Sequence, residues 1–354
     1  MNVDPGFWRG KRVFLTGHTG FKGGWLSLWL QQLGAQLQGY ALAPVGEHSL
    51  FAAARVGHGM ASTLADIRDL AALQSAMVAF RPEIVIHMAA QPLVRQSYAD
   101  PVETYATNVM GTVNLLEAVR RAPGVRAVVN VTTDKCYEND DRASGYAEGE
   151  PMGGHDPYSS SKGCAELVTS AYRRSFFSGG GAAVATARAG NVIGGGDWAS
   201  DRLVPDILRA FERGEPVVIR NPNATRPWQH VLEPLGGYLL LGARLAAEPL
   251  RYHGAWNFGP HLQDALPVGT LADIALQAWG GGSCHTPAQA GQPHEAGLLK
   301  LDISKAVNQL GWHPRYTAVE SIQSTIAWYK ALAGGTAAAD LVRANIAAYC
   351  APAS

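Results

Sequence analysis

The 354-residue sequence predicts an α/β protein in which a doubly wound parallel sheet carries a smaller mixed α/β lobe at its C-terminal side. Short apolar segments alternate with helical stretches over the first half of the chain, as expected for strands joined by crossover helices. A glycine-rich turn lies between the first strand and the first helix. At about 150 residues per domain, this length favours two domains or one large domain with an attached lobe.

Six segments have the short, apolar and β-branched composition of buried strands. They are residues 11–16, 36–42, 61–64, 84–88, 127–131 and 183–188, and helical patterns cover 108–121 and 159–177. After about residue 190 the alternation fails and Pro and Gly become frequent. We therefore predict a dinucleotide-binding domain over 7–190, to which segments near 228–260 return, and a substrate lobe formed by 191–227 and 261–350.

The turn after the first strand reads Gly17-His18-Thr19-Gly20-Phe21-Lys22-Gly23. Glycine allows a tight bend and lets a pyrophosphate approach the N–H groups of a helix N-terminus, where the dipole favours negative charge. An ordinary tight turn can also be glycine-rich, but the position between a strand and a helix favours a Rossmann-type dinucleotide site.

The bulk composition excludes several classes of partner. With 29 basic and 29 acidic residues, binding to nucleic acid or to a membrane surface through net charge is disfavoured. The four cysteines lack the spacing of metal ligands, which predicts free thiols in a reducing compartment and no metal site. Because no signal-peptide pattern and no apolar run of membrane-spanning length is present, we expect a cytoplasmic protein.

Tyr158 and Lys162 are four residues apart and share one face of a predicted helix. An ammonium near the phenol, together with an oxidised nicotinamide, would lower the tyrosine pKa from about 10 towards the working pH. Such a tyrosine can accept the proton of a substrate hydroxyl while a hydride leaves the same carbon. A surface pair would be the simpler explanation in an arbitrary chain, but the preceding strand ends in Thr132-Thr133-Asp134-Lys135, which favours catalysis.

The glycine spacing, Thr133, Tyr158 and Lys162 together resemble the extended short-chain dehydrogenases/reductases, in the branch that modifies nucleotide sugars. The resemblance extends from about residue 7 to residue 329. The segments 7–12, 17–23, 131–137 and 226–231 are similar to the CDP-glucose 4,6-dehydratases in particular. The triplet Thr-Asp-Lys is the most diagnostic, because dTDP-glucose dehydratases carry Thr-Asp-Glu and epimerases have no acid at that position.

This resemblance implies NAD as the cofactor and a nucleotide sugar as the substrate. Tyr158 would deprotonate the 4-hydroxyl as NAD⁺ takes the C4 hydride, and Thr133 would donate a hydrogen bond to the same oxygen. The resulting ketone acidifies C5, so that loss of its proton and of the C6 hydroxyl gives an unsaturated ketone, which regains hydride at C6. Asp134 would be the acid at O6 if burial keeps it protonated, and Lys135 would be the C5 base if desolvation makes its amine neutral.

The resemblance also implies cofactor contacts along the carboxyl edge of the sheet. The residues expected to make them are Gly17, His18, Gly20, Phe21, Lys22, Gly23, Asp66, Ile67, Ala89, Ala90, Gln91, Asn108, Tyr158 and Lys162. Asp66 and Ile67 would contact adenine, and Asn108 would brace the active-site helix. Asn191 and Arg226 would contact the substrate diphosphate, for which a guanidinium fork is suited.

Two questions stay open in the sequence. Residues 39–42 offer no carboxylate for the adenosine 2′-hydroxyl, and His18 or Lys22 could accept a 2′-phosphate, so only the resemblance favours NAD over NADP. His18 could equally be a packed residue. The alternatives to a CDP-glucose dehydratase are a dehydratase or epimerase for another hexose, such as dTDP-glucose or GDP-mannose, and a non-catalytic dinucleotide sensor.

The intact Thr133, Tyr158 and Lys162 disfavour the sensor, and Asp134-Lys135 disfavours the epimerase. No short motif encodes recognition of the base. The helices that begin at Asn108 and Ser159 form a four-helix bundle in similar proteins, which predicts a homodimer or a dimer of dimers.

Overall fold

The computed structural model describes residues 3–46, 48–286 and 298–352. Its strands are β1 (Arg12–Thr16), β2 (Gln36–Ala41), β3 (Ala61–Leu64), β4 (Ile84–His87), β5 (Ala127–Val131), β6 (Ala183–Ala189), β7 (Val192–Ile193), β8 (Val217–Val218), β9 (Thr225–Arg226), β10 (Gln229–His230), β11 (Gly254–Phe258), β12 (Leu266–Pro267) and β13 (Cys284–His285). Seven of them form one parallel sheet in the order β11-β6-β5-β4-β1-β2-β3. The strand order reverses between β1 and β4, where open α/β sheets bind ligands.

The predicted fold class is confirmed, and the six predicted strands are present with ends that differ by at most one residue. Their alternating side chains feed two cores, because neighbouring residues of a strand point to opposite faces. Val13 and Leu15 of β1 pack into one core, while Phe14 packs into the other. The seventh strand, β11, extends the sheet beyond β6.

The helices cover both faces of the sheet. They are α1 (Pro5–Trp8), α2 (Phe21–Gln32), α3 (Leu50–Ala53), α4 (Leu70–Phe80), α5 (Val94–Ala99), α6 (Pro101–Tyr105), α7 (Gly111–Arg121), α8 (Pro157–Phe176), α9 (Leu203–Arg213), α10 (Leu232–Ala247), α11 (Pro249–Tyr252), α12 (Val268–Trp279), α13 (Ala318–Ala333) and α14 (Ala338–Cys350). Helices α2 and α10 contribute to one core, and α4 and α7 to the other. No helix among the described residues is both long and apolar enough to cross a membrane.

The two helices predicted around the site are present, with different starts. The segment predicted as a helix from residue 108 begins earlier, because α6 continues through a π-helical turn at Ala106–Met110 into α7. Helix α8 begins at Pro157, where the missing N–H costs nothing. Its N-cap Asp156 accepts a hydrogen bond from the Ser159 N–H at 2.9 Å, which fixes the turn that carries Tyr158.

The region after residue 190 is built from short strand pairs. β7 pairs with β10 in parallel, β9 pairs with β12 antiparallel, and β8 pairs with β13 in parallel. β11, from the segment expected to return to the sheet, lies beside β6. Residues 287–297 of the predicted substrate lobe lie outside the described residues. The lobe boundaries themselves stay a prediction.

Candidate active site

Four strand ends meet at the carboxyl edge of the sheet, and a single hydroxyl ties two of them together. Thr16, the last residue of β1, accepts hydrogen bonds from the backbone N–H groups of Met88 and Ala89, at 3.0 and 3.1 Å. Its own proton therefore points to His87 Nδ1, 2.7 Å away at the end of β4. Burial lowers the pKa of His87 to about 3, so this ring is neutral. The cofactor turn and the loop after β4 are thus held together.

The glycine turn has the shape that a pyrophosphate requires. Gly17 has φ +76°, and a Cβ on it would lie 2.8 Å from Met88 O. A Cβ on Gly23 would lie 2.0 Å from Gly17 O, because helix α2 presses directly on the turn. Gly20 is the N-cap of α2 and no side chain caps it, which leaves the helix N-terminus to a ligand. The residues present therefore fit a dinucleotide.

The polar ends of His18 and Lys22, in the same turn, have partners within the protein. The His18 ring is fully buried against Gly39 of β2, and its Nε2 lies 2.7 Å from the Ser62 hydroxyl. Burial lowers the pKa of His18 to about 4. Lys22 Nζ donates to the Tyr238 hydroxyl at 2.9 Å, and burial, with the charge of Lys162, lowers its pKa to about 7. The His18 ring is therefore neutral and the Lys22 amine is bound to Tyr238, which disfavours both as partners of a 2′-phosphate.

The residues expected near adenine have partners within the protein. The Asp66 carboxylate is held by Arg68, whose Nη2 lies 2.6 Å from it, and this hydrogen bond lowers the pKa of Asp66. Ile67 is buried against α7, where a Cβ on Gly111 would lie 2.8 Å from its Cγ2. Contact of this pair with adenine stays a prediction.

Asn108 links the loop after β4 to the active-site helix. Its Oδ1 accepts from Gln91 N at 2.8 Å, and its Nδ2 donates to Gln91 O at 3.0 Å and to Ser161 Oγ at 2.9 Å. Ser161 lies on α8 between Tyr158 and Lys162. The side chain therefore supports the placement of the Ala89-Ala90-Gln91 loop relative to α8.

The polar groups of Tyr158 and Lys162, on α8, have different partners within the protein. Burial raises the pKa of Tyr158 to about 12, against a hydrogen bond to Thr133 and the charge of Arg202. Lys162 Nζ instead donates to Val131 O at 3.2 Å. Burial lowers the pKa of Lys162 to about 8, against the charge of Glu166. The helical spacing placed both residues on one face, but the lysine ends on the backbone of β5.

The segment after β5 brings the predicted acid beside the predicted base. Thr133 caps a single helical turn, Asp134–Cys136, and its hydroxyl donates to Asp134 Oδ1 at 3.0 Å. The Asp134 side chain is 1% exposed, and its Oδ2 packs where a Cβ on Gly190 would lie, 1.7 Å away. Burial raises the pKa of Asp134, against the charges of Lys135 and Arg226. Such burial favours the protonated acid that elimination requires.

The other candidate residues lie at the same edge. Lys135 follows Asp134 and is half-buried. Asn191 follows β6 with φ +41°, and its carbonyl accepts from Gln229 N at 3.2 Å. Arg226 in β9 is buried, its Nη1 donates to Thr225 O at 3.1 Å, and its charge reaches Asp134.

Four residues with a bearing on the site were missed in the sequence. Glu166 faces Lys162, Arg202 faces Tyr158 and Tyr238 accepts from Lys22, while Arg188 pairs with Glu166. Glu166 could have been found from its spacing of four residues after Lys162. Arg188 could have been found as a charge inside the apolar strand β6, since such a charge needs a buried partner. Arg202 and Tyr238 give no such signal.

The comparison with known proteins agrees with this geometry. The model of the NAD dependent epimerase/dehydratase family matches residues 13–250. The chain belongs to this family. It is 55% identical over 334 residues to the CDP-glucose 4,6-dehydratase of Salmonella typhimurium, covering 93% of each chain. It is 28% identical over 267 residues to a dTDP-glucose 4,6-dehydratase of Actinoplanes sp., covering 75% of this chain and 78% of that one.

A solved structure of the dTDP-glucose 4,6-dehydratase from Streptomyces venezuelae with NAD and TYD bound has a TM-score of 0.78 and 25% identity to this chain. The matched region covers 92% of this chain and 98% of the Streptomyces venezuelae chain. A UDP-glucose 4-epimerase from Thermotoga maritima also has a TM-score of 0.78, at 21% identity, which shows the shared fold. The predictions of family and of NAD as the cofactor of this family are confirmed.

The contact between Gly23 and Gly17 gives a direct test of the cofactor turn. Gly23→Ala should weaken NAD binding at least about tenfold, or about 1.4 kcal/mol, because its Cβ must push the turn and α2 apart. Isothermal calorimetry measures this. The control is Gly149→Ala, whose Cβ would meet nothing within 4 Å and which should bind normally. An unchanged Kd in Gly23→Ala would remove this turn from the cofactor site.

Proposed function

We propose that this protein is a CDP-glucose 4,6-dehydratase, which converts CDP-glucose to CDP-4-keto-6-deoxyglucose and water. The observation that carries this proposal is the fully buried carboxyl of Asp134, with a raised pKa, next to Thr133 and within electrostatic range of Tyr158. A simple alcohol oxidation has no use for a protonated acid there, whereas loss of a hydroxyl does. The 55% identity to a protein of that name supports the choice of nucleotide sugar.

Tyr158 and Thr133 would act on the first oxygen to react. When bound, NAD supplies the oxidant for C4 and afterwards the reductant for C6. Tyr158 would accept the proton of the 4-hydroxyl. Because burial raises the pKa of this phenol, nearby cations must favour the phenolate. Arg202 already faces it. Thr133, hydrogen-bonded to Tyr158, would orient the same substrate oxygen.

Asp134 and Lys135 would carry out the elimination. Once C4 is a ketone, the C5 proton becomes acidic, and Lys135 is the predicted base for it. Asp134 would donate its proton to the departing O6, so that the C6–O bond breaks and water leaves. The 4-keto group held by Tyr158 and Thr133 stays a ketone. Hydride adds to the unsaturated C6, and the Lys135 ammonium would return a proton to C5. Asn191 and Arg226 are proposed to hold the diphosphate.

The test of the function is a panel of nucleotide sugars. The protein with NAD is incubated separately with CDP-, dTDP- and UDP-glucose and with GDP-mannose, and 4-keto-6-deoxy product is followed. We expect the largest kcat/KM with CDP-glucose. Preference for another nucleotide would assign the dehydratase to that sugar instead. A 4-epimer without loss of water would support the epimerase, and no turnover of any sugar would support the dinucleotide sensor.

The roles of Asp134 and Lys135 predict a split between the two halves of the reaction. Asp134→Asn and Lys135→Met should both still oxidise C4, so reduced nicotinamide accumulates on the protein while product formation falls on the order of 10²–10⁴-fold. Solvent deuterium should enter C5 in Asp134→Asn but not in Lys135→Met, because only the latter lacks the base.

The control for these variants is Glu138→Gln, an exposed carboxylate on the same segment, which should behave as wild type. Wild-type product rates in both Asp134→Asn and Lys135→Met would leave the two residues without a catalytic role.

We further propose that the protein acts in the cytoplasm as a homodimer, or as a dimer of dimers, assembled through the helices α7 and α8. These helices and their neighbours expose large apolar side chains, which supports a second copy as the partner: Val102, Met110, Leu167 and Phe176. Light scattering should therefore give a mass of two or four chains, and Leu167→Glu should lower it. A monomer at micromolar concentration would contradict the dimer.

A further inference from the structure

A buried ion pair lies behind the candidate active site. Arg188 of β6 and Glu166 of α8 are 2.8 Å apart, with side chains that are 4% and 5% exposed. Removing two charges from water is unfavourable unless the geometry of the pair and its further hydrogen bonds compensate. Because both side chains are buried, only contacts within the protein can compensate for the loss of water around these two charges.

The hydrogen bonds of this pair reach β6 and both ends of the segment that carries Asp134 and Lys135. Glu166 Oε1 accepts from the hydroxyl of Thr132, the residue directly before Thr133. Its Oε2 accepts from the Thr186 hydroxyl of β6 at 2.7 Å, in addition to Arg188. Arg188 Nη1 donates to the Tyr137 hydroxyl at 2.6 Å, just after the Asp134–Cys136 turn. The turn that carries Asp134 and Lys135 is therefore held at both ends.

The same contacts fix the surroundings of the buried Asp134 carboxyl. Tyr137 donates in turn to Asn257 Oδ1 of β11 at 2.8 Å, which joins the turn to the edge of the sheet. Arg188 lies two residues before Gly190, on which the Asp134 carboxyl packs. A shift of β6 relative to β5 would move Gly190 towards or away from the Asp134 carboxyl. The Arg188–Glu166 pair therefore holds the distance between Gly190 and Asp134, the proposed acid of the elimination.

Glu166 also contributes charge to Lys162, which lies one helical turn earlier. Around Lys162 stand Glu166 on its own helix, the Cys136 thiol after β5, His87 at the end of β4 and Lys22 on α2. None of the other three is an anion: burial keeps His87 neutral, an amine such as Lys22 carries no negative charge, and burial raises the pKa of the Cys136 thiol. The anion in this group is Glu166, and it opposes the lowering of the Lys162 pKa by burial.

We propose that Glu166 and Arg188 are positioning residues for this reaction: they fix the Thr133–Lys135 segment and Gly190 relative to α8, and they place the Glu166 carboxylate one helical turn from Lys162. The proposal rests on the proposed function for its catalytic consequence. The electrostatic part of the proposal, which is the effect of the Glu166 charge on Lys162, can be measured without a sugar. It can therefore fail while the proposed function holds, and the proposed function can fail while it holds.

The test is Glu166→Gln, which keeps the shape of the side chain and removes its charge. The pH dependence of NAD binding is measured by calorimetry, and that of C4 oxidation by single-turnover absorbance of reduced nicotinamide. In both measurements, the pH at which the signal falls on the alkaline side (the alkaline limb) should move down by about one unit, because Lys162 loses its proton at lower pH. Above that pH, the rate of C4 oxidation should be about tenfold lower than in wild type. Glu166→Asp keeps the charge and should restore the position of the limb, though at a lower rate.

A purely structural role would lower the rate equally at every pH, and Glu166→Gln and Glu166→Asp would then have the same profile. That result, or an unmoved limb in a folded Glu166→Gln, overturns the electrostatic part. Absence of sugar turnover in wild type, with the limb of NAD binding still moving, would contradict the proposed function and leave the role of Glu166 towards Lys162 intact.

A second variant keeps the proposal testable if Glu166→Gln does not fold. Arg188→Lys retains the positive charge but cannot reach both Glu166 and Tyr137. We expect kcat to fall about tenfold or more with KM and the pH profile nearly unchanged, because placement is lost and charge is not. Thr186→Val, which removes one hydrogen bond to Glu166 but leaves the ion pair and the contact with Tyr137 in place, is the control and should have a smaller effect than Arg188→Lys. A wild-type kcat in Arg188→Lys would contradict the positioning role.

Discussion

Parallel pairing is the constraint from which the site follows. Each connection in such a sheet must cross over one face before the next strand begins, so all carboxyl ends lie at one edge. β1, β4, β5 and β6 are neighbours in the sheet and end there. The glycine turn, the loop from Ala89, the Thr133–Lys135 segment and Gly190 are therefore brought together by topology, although they are separated by more than 170 residues of sequence.

Burial then decides which of these groups carries a charge. Removal from water disfavours the charged form of every titratable group, and at this edge it raises the pKa of Asp134 and Tyr158 and lowers that of Lys22 and Lys162. A protonated acid at near-neutral pH is what the loss of a hydroxyl needs. Tyr158, in contrast, must ionise to act as a base, so nearby cations have to lower its pKa. Arg202 is one such cation within the protein.

The apolar runs of the sheet could be predicted from sequence to within one residue, because burial on both faces leaves a local signature. β11 could not, since Gly254 and Asn257 break its pattern and the Asn257 amide finds partners only in the folded chain. Local spacing placed Tyr158 and Lys162 on one helix face but could not show that Nζ reaches Val131 O. The site residues came from motif and resemblance; the supports behind them depend on tertiary contacts.

The central claim is that one carbon is oxidised, water is lost and a second carbon of the same sugar is reduced. CDP-glucose deuterated at C4 tests it most directly, with the product examined by NMR and mass spectrometry. The account predicts deuterium at C6 of the 4-keto-6-deoxy sugar, without exchange into unlabelled sugar mixed with it. Deuterium found at C4 of an epimer, or lost to solvent, would contradict it.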